Sequence, residues 1–99
     1  MSASITFELA DGDLACTLAE DFVLAASLPV AYVFPTAQRV AFSTTGFAEP
    51  IDQVFIAATG RVVQTFEARM DDALVGPATD VRVVLELVAG SARARGLLP

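Results

Sequence analysis

Between Val81 and Val88 the chain reads VRVVLELV, with Val81, Val83, Leu85 and Leu87 at every second position. That period puts four aliphatic side chains on one face of an extended strand. Val84 and Val88 make the other face partly apolar, which predicts a central place in a sheet for residues 80–88. The same alternation opens the chain, with Ile5, Phe7 and Leu9 against Thr6 and Glu8, and ADGD follows as a turn. Leu14, Leu18, Phe22 and Ala25 then fall at helical spacing, which predicts a short amphipathic helix over 15–27. A return strand over 14–18 is the rival reading.

Further on, VAYVF predicts a buried strand over 30–34, Pro35 to Gln38 a turn, and RVAFS another strand over 39–43. TTGFAEP reads as a loop punctuated by Gly46 and Pro50. IDQVFIA and RVVQTFEAR, separated by Ala58-Thr59-Gly60, form the clearest hairpin. DDALVGPATD is a polar connection into the last strand. After it, Ser91 stands where it can cap a one- to two-turn helix, SARAR, with Gly96 just beyond its end. Short strands joined by turns, with little helix, make a mainly β (α+β) protein. The expected architecture is a small folded sheet or pseudo-barrel of five to seven short strands, with one or two short helices, as a single domain over residues 1–99.

Composition narrows the function. Hydrophobic residues are 55% and charged residues 18%, the opposite of a disordered chain. The net charge is −6, there is no Lys, and the six arginines form no basic stripe. Nucleic acids and anionic membrane surfaces are therefore not expected partners. The longest apolar run, Phe22 to Phe34, is divided by Pro29 and falls short of the ~20 residues that span a bilayer. The N-terminus does not read as a secretory signal, so a cytoplasmic protein is expected. Cys16 is alone and reads as a small buried hydrophobe.

Catalytic chemistry has little to work with. There is no His, and no Lys for a Ser–Lys pair, so Ser43 and Cys16 lack the usual activating base. Carboxylates are what remain. Asp11-Gly12-Asp13 reads as a turn, and Asp71-Asp72 as a solvated loop. Glu49, Asp52 and Glu86 are the more interesting acids, although each can equally be an outward strand residue or an anchor for backbone amides. Ser43, Thr44, Thr45 and Gly46 form the best local candidate for a site, since three hydroxyls and a glycine offer donors to a small polar ligand. An ordinary β-turn is the plain alternative.

Three segments resemble a known family. AYVFPTAQRVAF (31–42), EPIDQVFIAATGRVV (49–63) and VVLELVAGSARARGL (83–97) are similar, in order and spacing, to segments of the bacterial and archaeal domain of unknown function 192 family. Together they cover about two thirds of the chain. Ser43 to Phe47 stands where the family pattern has Trp-Met-Lys-Asn-Thr, which makes this a divergent member. The resemblance implies a small, mainly β pseudo-barrel and no settled biochemical role.

Two functions follow as expectations. The first is a non-enzymatic β domain acting as an accessory or interaction module, with homodimer formation or a protein partner through a strand edge. The second is a small polar-ligand-binding protein, or weak hydrolase, using the 43–46 loop with Asp52 or Glu86. Neither calls for a metal, nucleotide or haem. A concave pocket holding Thr44, Thr45 and a carboxylate favours the second; a filled barrel with the loop flat on its surface favours the first.

Overall fold

The computed structural model describes residues 3–19 and 28–99. Six strands, β1 (Ser4–Phe7), β2 (Leu14–Leu18), β3 (Val30–Gln38), β4 (Ile51–Ile56), β5 (Val62–Arg69) and β6 (Val81–Val88), are followed by one helical turn, α1 (Ser91–Ala94). They form one curled, half-barrel sheet in the order β1-β2-β3-β6-β4-β5. Its pairs are antiparallel except β2 with β3. The predicted mainly β class and the central place of β6, between β3 and β4, both hold.

The sheet buries apolar residues on both faces. Ala31, Val54, Ile56, Val83, Leu85 and Leu87 point to one side, where Leu14 and Cys16 of β2 and Ala92 and Leu97 around α1 cover them. Val30, Tyr32, Phe34, Phe55 and Val84 point to the other, joined by the partly buried Val40, Phe42 and Phe66. β4 is buried along its whole length because it lies between β5 and β6 and is covered on both faces. Val81 packs with the second group, not with its expected partners Val83, Leu85 and Leu87. It sits where the pairing of β3 with β6 changes register, between Val33 and Gln38.

Four local expectations give way to tertiary context. Residues 14–18 form a strand and not the start of a helix, because their backbone pairs with β1 on one side and β3 on the other. Leu14 and Cys16, two apart, are the residues it buries. The rest of that predicted helix, 20–27, lies outside the described residues. The expected turn at 35–38 is instead the end of β3, extended across the register shift. Pro35 lacks an N–H, so an interruption of the ladder there costs it no donor. In 39–43 only Phe42 pairs, as an isolated bridge to Val75. Finally, Gly90 rather than Ser91 occupies the N-cap position of α1, at φ +93°, and no side chain of its own caps it.

Candidate functional site

Two polar residues interrupt the apolar run of β4, and the sheet sends them to opposite faces. In the β4–β6 register Asp52 stands opposite Leu87 and Gln53 opposite Glu86. Asp52 therefore points to the α1 side and Gln53 with Glu86 to the aromatic side.

Asp52 is fully buried and acts as an anchor for backbone. Its Oδ1 accepts the Ala68 N–H at 2.8 Å, and its Oδ2 accepts the N–H groups of Gly90 and Ala92 at 2.9 and 3.0 Å. It supplies to α1 the cap that Ser91 does not. Ala68 has a positive φ of 48° and lies in a bulge. Ile51 pairs with Arg69 and Gln53 with Phe66, so three steps on β5 oppose two on β4. Before the bulge, Thr65 and Glu67 face α1: the Thr65 hydroxyl donates to the Leu97 carbonyl at 2.6 Å, and Glu67 pairs with Arg93 at 2.9 Å. Strict alternation would put Arg69 on that side too. The bulge turns it to the aromatic face.

There Arg69 organises a buried polar chain. Its Nη1 donates to Gln53 Oε1 at 2.8 Å and to the Phe42 carbonyl at 2.6 Å. Nε and Nη2 hold Asp71 at 3.2 and 2.8 Å, and Nη2 also reaches the Ala73 carbonyl. All five guanidinium N–H groups are thus engaged. Because guanidinium only donates, Gln53 must turn its oxygen toward Arg69. Its Nε2 then donates to Glu86 Oε2 at 2.8 Å and to the Ser43 carbonyl at 3.0 Å.

Glu86 ends the chain. It is 1% exposed, and among the described residues its Oε1 has no hydrogen-bond partner. Burial pushes its pKa above the ordinary carboxyl value, while Gln53, which donates to Oε2, and the nearby Tyr32 hydroxyl pull it back down. The Tyr32 hydroxyl is in turn pushed above its ordinary value by burial and by the neighbouring carboxylate.

Glu86 lies in the wall of a cleft of about 480 Å³. Tyr32, Phe34 and Gln38 of β3 form one side, and residues 40–43, 45 and 47 arch over it, with Leu74 at the mouth. The arch is held in place at Phe42. Its ring meets those of Tyr32, Phe34 and Phe55 edge-on at 4.9, 6.5 and 6.1 Å, and its backbone bridges Val75. Gly76 packs so closely beneath this bridge that a Cβ would lie 2.0 Å from the Val40 carbonyl oxygen.

The 43–46 loop divides between two environments. Ser43 and Thr45 line the cleft with Glu86. The Ser43 hydroxyl donates to Thr45 Oγ1 at 3.1 Å, and Thr45 donates to Asp72 at 3.0 Å. Thr44 is buried away from the cleft, where its hydroxyl donates to the Asp71 carbonyl at 2.8 Å and accepts the Asp71 N–H at 2.7 Å. Gly46, at φ +94°, completes a type II turn closed by the Phe47 N–H on the Thr44 carbonyl. Glu49 is exposed in the loop before β4. The structure thus brings Ser43, Thr45 and Glu86 together and keeps Thr44 and Asp52 apart from them. Sequence reasoning missed Tyr32, Gln53, Phe42 and Arg69. The readable signal was Gln53, a polar residue next to Asp52 inside an otherwise apolar strand.

A model of the family "Uncharacterized ACR", domain of unknown function 192, matches residues 23–99. The chain belongs to this family. Two solved structures share the fold of this domain of unknown function 192 protein, each with a TM-score of 0.75. One, from Sinorhizobium meliloti, is described as a "putative transcription regulator"; it is 23% identical, over all of this chain and 89% of that one. The other, a protein of unknown function from Novosphingobium aromaticivorans, is 18% identical, over 99% of this chain and 81% of that one. No curated protein matches the chain. No helix among the described residues is long and apolar enough to cross a membrane, and no group of three metal-ligating side chains occurs among them.

Proposed function

We propose that this protein is a small-molecule-binding β domain whose ligand enters the cleft between β3, β6 and the 40–47 arch. The observation that carries the reading is Glu86 Oε1, a buried acceptor without a partner among the described residues, in the wall of an aromatic cleft. Unsatisfied buried polar atoms cost about 1–3 kcal/mol and are uncommon away from functional positions. A largely apolar cleft of several hundred Å³ with a few convergent polar groups is the usual form of a ligand site. Ser43 and Thr45 add hydroxyls near the carboxylate, as the second sequence-based expectation required, although Thr44 does not. Their roles are to hydrogen-bond the ligand; Glu86 orients it, and Gln53 and Arg69 fix Glu86. The Ser43 hydroxyl pairs with Thr45 and not with a base, which favours binding over hydrolysis. The accessory role expected first is compatible with such a domain.

The test is an amide-resolved NMR titration of the labelled protein with a fragment library of cationic, neutral and anionic members. Shift changes centred on Tyr32, Phe42, Thr45 and Glu86 are expected for at least one class. Changes confined to other surfaces, or none, would reject the cleft as a ligand site.

A further inference from the structure

We infer that the cleft is built for an organic ammonium: an amine carried on a flat apolar body, with the cation against Glu86 Oε1 and the body between the rings of Tyr32, Phe34, Phe42 and Phe47. This rests on the cleft being a ligand site and adds the chemical class of the ligand.

Four observations converge on a cation. Glu86 is 1% exposed and carries an acceptor oxygen that no described residue satisfies. The nearest guanidinium cannot supply the missing partner: Arg69 stands beyond Gln53 and all five of its N–H groups are in use. The cleft is walled by aromatic rings, whose faces attract cations, and cation–π contacts strengthen when desolvated. The protein carries a net charge of −6, so its field draws cations and opposes anions.

Other ligand classes meet the site less well. A carboxylate or phosphate would bring a second negative charge to a buried acid. A neutral alcohol would fill Oε1 with one donor but leave the buried charge without a counter-charge. An ammonium supplies both, and it keeps further N–H groups for the Ser43 and Thr45 hydroxyls that line the same cleft. A compact ammonium on an apolar stem also suits a site with one acid in its wall and hydrocarbon on most sides. Burial raises the Glu86 pKa, and a cation against Oε1 would lower it again, so ammonium binding and the carboxylate form favour each other.

The probes are three molecules of similar shape: 2-phenylethylamine, 2-phenylethanol and 3-phenylpropanoate. Each is titrated into the full chain and into Glu86→Gln and Phe47→Leu, with amide shifts read at the cleft. The expected result is amine binding at least tenfold tighter than the alcohol, with the carboxylate weakest. Glu86→Gln should erase the amine's advantage and leave alcohol binding within about twofold. Phe47→Leu, at the partly exposed edge of the arch, should weaken the amine several-fold more than the alcohol. If the alcohol or the carboxylate binds as tightly as the amine, the ammonium assignment is wrong and the cleft still stands as a ligand site. An amine advantage that survives Glu86→Gln also overturns the assignment. If none of the three probes moves the cleft resonances the ammonium assignment falls, and the cleft reading falls with it only if the whole fragment library is silent as well.

Discussion

The Asp52 carboxylate holds the Ala68 N–H at 2.8 Å, and this bond fixes the bulge that sends Arg69 to the aromatic face of the sheet. The same carboxylate takes two amides at the start of α1, so one buried acid ties β4, β5 and the C-terminal turn together. Asp52→Asn keeps the size but turns an amide donor toward backbone donors. A loss of roughly 2–4 kcal/mol in unfolding free energy is expected, measured from urea denaturation. A loss below about 1 kcal/mol would show that the bulge is held by other contacts.

Glu86 makes the protein's stability depend on pH. Its folded pKa is raised by burial, so between the unfolded value near 4.5 and the raised one the native state keeps a proton that the unfolded chain has released. Stability from this group is therefore full below the unfolded value and is lost as pH rises through the folded one. The groups around it are Tyr32 from β3, the non-ionising Gln53 from β4, Arg69 behind Gln53, and the neutral Ser43 and Thr45. Asp71 is lowered by Arg69 and contributes the opposite slope. That slope is common to the wild type and Glu86→Gln, so their difference isolates Glu86. The variant is expected to gain on the wild type as pH rises from 4 to 8, and a flat difference in denaturation midpoint would refute the assignment.

Two arginine pairs should differ widely. Arg93 and Glu67 form a two-bonded pair at 2.9 and 3.0 Å, but Arg93 is 68% exposed. Exposed pairs contribute about 0–1 kcal/mol, so Arg93→Met should change stability by less than that. Arg69 is buried and serves Gln53 and the Phe42 carbonyl. Arg69→Met leaves both without a donor and should cost roughly 2–4 kcal/mol. Paired thermal or urea unfolding of the two variants decides the point; equal effects would contradict it.

Gly76 gives the arch its close seat. A Cβ there would meet the Val40 backbone, which has no side-chain rotamer with which to yield. Gly76→Ala is expected to shift or break the Phe42–Val75 bridge, and to increase amide exchange at both residues. Unchanged exchange would show that the arch tolerates the displacement.

Cys16 is 2% exposed, and burial pushes its thiol up to about 11 against a smaller lowering by Arg95. It should not react with an aromatic disulfide reagent at pH 8 in the folded protein, and should react fully in urea. Rapid labelling of the native state would contradict the buried placement.

Much of the sheet was legible because β6 alternates from Val83 to Leu87 strictly enough to define its faces, and the turn at 58–60 marks β4 and β5 as a hairpin. The 14–18 segment was not, because Leu14 and Leu18 are four apart, and that spacing fits one face of a helix as well as one face of a strand. Its partners, β1 and β3, settled the matter through backbone hydrogen bonds that periodicity does not encode. The 43–46 loop was legible as polar, but which hydroxyl faces the cleft depends on Asp71 claiming Thr44 from 27 residues away.

The order of hydrophobic and polar residues by itself determined a mainly β chain, its last three strands, and the list of acids available for chemistry. Local spacing carries that much, since strand alternation is a property of neighbouring residues. Only the tertiary structure decided that Asp52 and Glu86, alike in the sequence as acids within strand segments, are both buried and serve opposite faces. One satisfies three backbone amides, and the other has an oxygen that no described residue meets, in an aromatic cleft. The register of β4 on β6 and a single extra residue in β5 made that difference, and both are fixed by pairing between strands far apart in the chain.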